Sequence, residues 1–166
     1  MEYAAIGTGL GACLLILVQD LRARWVHVVP LVLLLASGLV FRRLHDGAET
    51  WPGFGANVMF VVVILAVVAL YFRLKDGGKF LDEKLGLGDV VMLFAVAAWL
   101  DPLGFVLYYV SGMLVILAGV SLFLAVKGVG KEYPVPLAGL LAGYLAVFGP
   151  VYYVWRWEIW GMMGMV

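Results

Sequence analysis

Charged side chains and cysteine are what this sequence has least of. Only 13% of its 166 residues are Asp, Glu, Lys or Arg, and its single cysteine, Cys13, stands in an apolar run. A soluble domain carries about 25% charged and roughly 45–50% apolar residues. Here 65% are hydrophobic and the mean hydropathy is +1.07. One water-soluble core cannot bury that much apolar surface, so much of it must face lipid. A lone cysteine excludes an internal disulfide and a thiolate metal site, and Cys13 reads as a small packing residue. Acidic and basic residues balance at 11 each, which leaves no basic surplus for nucleic acid. Of the two histidines, His45 lies near Asp46 and Glu49, a set that reads as a solvated loop rather than a metal centre. No residue pattern calls for a cofactor.

What is abundant is apolar length. Crossing the hydrocarbon core takes about 20 residues of helix, with a range of roughly 17–25. Apolar runs fall at about 3–19, 25–41, 54–72, 87–100, 103–126 and 135–155. The first lacks a basic leader and a small-x-small cleavage pattern, so it reads as a retained helix. The expected fold is all-α and polytopic, with about six transmembrane helices. It forms a single membrane-embedded domain over residues 1–166, with no soluble domain. Breaks occur at Asp20-Leu-Arg-Ala-Arg24, 41–53, 73–84, Asp101-Pro102 and 127–134. The Asp101-Pro102 connection is very short, but proline suits a helix start.

Alternation places eight of the eleven Lys and Arg on one side: Arg22, Arg24, Arg73, Lys75, Lys79, Lys84, Lys127 and Lys131. Arg42, Arg43 and Arg156 fall on the other. The positive-inside rule then puts the N-terminus outside and the eight-charge side in the cytoplasm. Trp51, Tyr152, Tyr153, Trp155 and Trp157 mark the outer interface, and Trp25 the inner one. Gly7-x-x-x-Gly11 and Gly139-x-x-x-Gly143 are spaced for close helix approach.

Two carboxylates sit at the membrane boundary. Asp20 closes the first run, in Leu17-Val-Gln-Asp20, and Asp89 opens the fourth, in Gly86-Leu-Gly-Asp89. Alternation alone returns both to the same end of the bundle. An ionisable group at membrane depth marks a functional site by default. Two carboxyls in a site of low dielectric share a proton, and their titrations couple. Such a pair can deprotonate water and hydrogen-bond a scissile carbonyl, which is aspartic peptide hydrolysis. Gly86 and Gly88 lack a Cβ and leave room for another chain beside the acid. A plainer reading stands alongside, in which Asp20 pairs with Arg22 or Arg24 and Asp89 is a helix N-terminal acid.

Gly86-Leu-Gly-Asp89 resembles the Gly-x-Gly-Asp motif of intramembrane aspartyl proteases, the presenilin-like enzymes among them. Chain length, an early first aspartate and six spans are closer to the type IV prepilin peptidases and archaeal preflagellin peptidases. In that family the first aspartate ends helix one before a short Leu-basic run, as in Asp20-Leu-Arg-Ala-Arg24. Val135-Pro-Leu-Ala-Gly139 resembles the Ile-Pro-small motif that opens the last helix. The resemblance spans almost the whole chain. It implies catalytic Asp20 and Asp89 and no cofactor or metal. The implied substrate is a membrane-anchored precursor with a basic cytoplasmic leader and a hydrophobic helix. The implied site is the cytoplasmic face of a prokaryotic plasma membrane.

The sequence also departs from the family. Val26-His27-Val28 replaces Ile-Pro-Asn, with a proline only at Pro30. Val91 stands where a lysine is common. The Cys-x-x-Cys insertion of the larger enzymes is missing, which implies a peptidase without methyltransferase activity. His27 reads as an interfacial residue. The 73–84 connection, with Asp76, Asp82 and Glu83, reads as a docking element in which Asp82-Glu83 attracts the basic leader. Asp101 faces the opposite side. A non-catalytic scaffold of the same fold remains an alternative. So does a proton-linked transporter, although no charge lies at mid-depth and no discontinuous helix is evident.

Overall fold

The computed structural model describes residues 1–23, 25–76, 86–127 and 136–162. The expectations for Arg24, Lys79, Asp82, Glu83, Lys84, Lys131 and Val135 fall outside these residues. Within them the fold is all-helical: α1 (Glu2–Ala23), α2 (Val28–His45), α3 (Thr50–Asp76), α4 (Leu87–Ala97), α5 (Pro102–Lys127) and α6 (Leu137–Met162), with one 3₁₀ turn at Gly47–Glu49. The chain is a polytopic α-helical membrane protein. Five of the helices are long and apolar enough to cross a bilayer, and α4 is the exception. Its 11 residues rise only about 16 Å at 1.5 Å per residue, roughly half the hydrocarbon thickness.

The run at 87–100 was expected to be one helix, but the helical ladder stops at Ala97. Ala98 and Trp99 turn back to the carbonyls of Ala95 and Val96. The chain then reaches Asp101, and α5 starts at Pro102 as expected. Stopping short leaves carbonyls without helical partners inside the bundle, and side chains from three other helices take them. Asn57 of α3 donates to Ala97 O at 2.9 Å and to Leu100 O at 2.6 Å. Arg42 Nη1 of α2 donates to Leu100 O at 2.9 Å, and the Tyr153 hydroxyl of α6 donates to Trp99 O.

Arg42 is therefore not the loop cation that composition suggested. The expected break at 41–53 is helical up to His45, because the guanidinium is satisfied inside the bundle. Arg42 is only 1% exposed, and its Nε meets Asp46 Oδ2 at 3.0 Å. The α2–α3 connection is correspondingly tight. Gly47 takes a positive φ of 57°, and the Thr50 hydroxyl donates to Arg42 O and Gly47 O at 3.0 and 2.9 Å.

Helix α1 lies against α2 and α6, α4 packs among α2, α3 and α6, and α5 leans on α3 and α6. Ile16, Leu34, Met92, Val96, Leu100, Phe105 and Leu141 form the core. Much of α3 and α5 faces outward, with Val67, Leu70, Leu114, Leu117 and Val126 exposed as lipid-facing surface requires. Trp99 wedges where α1 and α2 carry glycine. A Cβ built on Gly9 or Gly38 would collide with its indole, and its Nε1 donates to Leu34 O at 2.8 Å. Gly9, rather than the predicted pair Gly7 and Gly11, is thus the packing glycine of α1. Gly7 and Gly11 face open space.

Candidate active site

The first turn of any helix presents backbone N–H groups that have no partner within it. In α6 the ladder begins with Leu140 N–H on Pro136 O, leaving those of Ala138 and Gly139 free for other groups. Carboxylates from two other helices come to this turn. Asp20, in the last turn of α1, accepts from Gly139 N–H through Oδ2 at 2.6 Å. Asp89, in the first turn of α4, stands near the Ala138 backbone and within the electrostatic reach of Asp20. The two predicted aspartates, 69 positions apart in sequence, therefore meet at the N-terminus of a third helix.

Asp20 is 7% exposed, while Asp89 is half-buried on the open side of the pair. No ion pair joins Asp20 to Arg22 among the described residues. The helix N-terminus is instead its partner, with a positive dipole end worth about half a charge. Asp101 lies at the opposite end of the bundle, where it meets Arg156 at 3.4 Å.

The glycines around the pair differ in role. A Cβ on Gly139 would stand 2.8 Å from Asp20 Cβ and 3.0 Å from its Oδ2, so only glycine lets α1 and α6 approach this closely here. A Cβ on Gly143, one turn on, would meet Leu17 at 3.4 Å, an ordinary contact. Sequence reading treated Gly139 as a packing residue, but it also donates to the candidate acid. Its place three residues after Pro136, in the first turn of α6, was the available signal. Gly86 is the N-cap of α4, and a Cβ there would approach Asp89 Oδ2 to 3.1 Å. Gly88 has open space beside it.

The departures from the family pattern lie off the pair. Val91 is exposed on α4. His27 is exposed and packs edge-on against Trp25, with ring centroids 4.1 Å apart, and its N–H donates to Gln19 Oε1 at 3.0 Å. That bond ties the α1–α2 connection down next to Asp20.

An apolar groove of about 700 Å³ opens between α1, α5 and α6. Its wall includes Leu17 and Leu21, on either side of Asp20 in sequence, together with Pro136 and Leu140, which bracket the Ala138 and Gly139 donors. The arrangement can hold one negative charge and one proton on two oxygen acids beside an apolar recess. No family model matches the chain, and no curated protein or solved structure is significantly similar to it.

Proposed function

We propose that this protein is an intramembrane aspartyl endopeptidase of the prepilin peptidase type, with Asp20 and Asp89 as its catalytic pair. The observation that carries the reading is their convergence at the first turn of α6, where Asp20 accepts from Gly139 N–H and Asp89 lies within its electrostatic reach. A capping role needs one carboxylate, and two in electrostatic contact are costly unless they share a proton. In the reaction, the ionised carboxylate removes a proton from water, and the resulting hydroxide adds to the scissile carbonyl. The protonated partner hydrogen-bonds the carbonyl oxygen as charge builds there. Collapse of the tetrahedral intermediate breaks the C–N bond, with a proton passing from the pair to the leaving nitrogen. No residue is covalently modified.

The substrate is a membrane-anchored precursor whose hydrophobic helix reaches the pair from lipid, with the groove beside Asp20 as its route. The eight-to-three Lys and Arg asymmetry supports a cytoplasmic orientation of this end of the bundle, where a basic leader would lie, in a membrane we take to be a prokaryotic plasma membrane. The test is cleavage of a panel of such precursors by the purified protein in lipid, beside Asp20→Asn and Asp89→Asn. Asn keeps an acceptor for the α6 donors, so both variants should fold, while cleavage falls below detection. Cleavage by both variants would remove the proposal.

One observation favours a second reading. Asp20 satisfies a backbone donor in the first turn of α6, which is also what a purely structural cap does. In that case the chain is a membrane scaffold, and neither Asn variant alters its assembly role.

A further inference from the structure

We propose that Asn57 and Arg42, at the far end of α4, are positioning residues that set where Asp89 stands. The inference rests on the peptidase reading above. Helix α4 is a single 11-residue rod with Asp89 in its first turn and its open carbonyls at the other end. An axial shift at one end therefore appears at the other.

Nearer Asp89, the buried side chains of Met92 and Leu93 anchor α4 in the core, whereas the buried positions of its last turn, Ala95, Val96 and Ala97, are smaller and present shallower ridges to neighbouring helices. The placing of that end then depends in part on the groups that hold its carbonyls. At the Ala97 end, Asn57 spans two carbonyls, at 2.9 and 2.6 Å, and Arg42 takes the second of them at 2.9 Å. Both side chains are 1% exposed. Arg42 is itself confined, since Asp46 holds its Nε at 3.0 Å and its guanidinium fills the space a Cβ on Gly53 would need. Asn57 brings an amide into one of the most apolar helices of the chain, and its bonds go to the last residue of α4 and to Leu100 just beyond it.

Catalytic geometry tolerates displacements of only about 0.5 Å, and a misplacement of about 1 Å can cost roughly 100-fold in rate. Losing the Asn57 bonds lets α4 slide or tilt, and Asp89 moves away from Asp20 and the first turn of α6. The binding groove beside α1 and α5 is untouched. The effect therefore belongs in kcat rather than KM.

The experiment uses the full chain in lipid nanodiscs, with Asn57→Leu, Arg42→Lys and the surface control Arg43→Lys. Two readings are taken on protein shown to be folded by gel filtration and thermal melting. One is kcat and KM for a cleaved precursor. The other is the distance between spin labels at Ala23→Cys on α1 and Val91→Cys on α4, with buried Cys13 left in place. Asn57→Leu should lower kcat about 10- to 100-fold with KM within about twofold, and should shift or broaden the label distance. Arg42→Lys, which loses the reach to Leu100 O, should do the same to a smaller extent, and Arg43→Lys should do neither. Should Asn57→Leu not fold, Arg42→Lys supplies both readings. Unchanged kcat and label distance in a folded variant overturn the proposal. So does an activity loss that follows only the folded fraction. If the parent cleaves nothing, the peptidase reading fails by itself, and the label distance still decides whether these residues position Asp89.

Discussion

Gly139→Ala separates a functional meeting of α1 and α6 from ordinary helix packing. In an unconstrained helix the change is favourable, because alanine outranks glycine by about 1 kcal/mol in helix propensity. Here the new methyl would stand 2.8 Å from Asp20 Cβ and 3.0 Å from Oδ2, and the acid lies on a helix that cannot easily retreat. Overpacking of this kind costs about 1–3 kcal/mol. Displacing Asp20 also weakens its bond from Gly139 N–H, and a hydrogen bond to a charged group contributes about 1.5–3 kcal/mol. Setting the propensity gain against both losses leaves about 1.5–5 kcal/mol of net cost at the pair. At 1.36 kcal/mol per decade, that corresponds to a fall of roughly 10- to 5000-fold in kcat if the pair is catalytic. Gly143→Ala is the matched control, since its methyl meets Leu17 at 3.4 Å and should leave turnover within about threefold. The assay is single-turnover cleavage of a precursor in nanodiscs, with melting temperatures recorded for both variants. A Gly139→Ala protein that turns over like the parent would refute the idea that the Asp20–Gly139 contact serves catalysis.

The same geometry gives two further expectations. Trp99→Ala empties the hole formed with Gly9 and Gly38 and removes the bond to Leu34 O, so it should destabilise by about 3–5 kcal/mol; reversible unfolding in mixed micelles measures this, and a loss under about 1 kcal/mol would show the wedge to be slack. A reporter fused after Ala48 should read as external and one fused after Lys127 as cytoplasmic; the reverse pattern would put the aspartates on the outer face and remove the cytoplasmic leader from the proposed substrate.

Much of the helix plan was legible because lipid requires long apolar runs, and long runs are hard to miss. The two aspartates were legible for a related reason, since carboxylates at helix ends stand out where charge is scarce. Alternation also placed them at one end. What could not be read was where apolar sequence stops being helix. Residues 98–100 are as apolar as those before them, and only the side chains of Asn57, Arg42 and Tyr153 make the early stop tolerable. Arg42 was misread for the converse reason. A cation beside another cation and before Asp46-Gly47 has the composition of a loop, and its burial depends on a carbonyl 58 positions away. Gly9 was passed over because it belongs to no Gly-x-x-x-Gly pair, while Gly7 and Gly11 fit that spacing and face open space.

The setting of the aspartates bears on why the pair can exist at all. Among the described residues no Lys or Arg forms an ion pair with Asp20 or Asp89, so the usual remedy for two buried carboxylates is not in use. What faces them is a helix N-terminus, with about half a unit of positive charge spread over its first turn. That suits one negative charge poorly shared with a second and well shared with a proton. A lysine at the same place would hold both acids ionised and leave no acid to polarise a carbonyl. Backbone donors have a further merit, since they lose no side-chain entropy on being fixed and cannot swing away when a substrate strand displaces water. A scaffold seeking only to cap α6 would be as well served by one serine or asparagine. The second carboxylate, half-buried in the first turn of α4, is the feature that a simple cap does not need and the proposed hydrolysis would use.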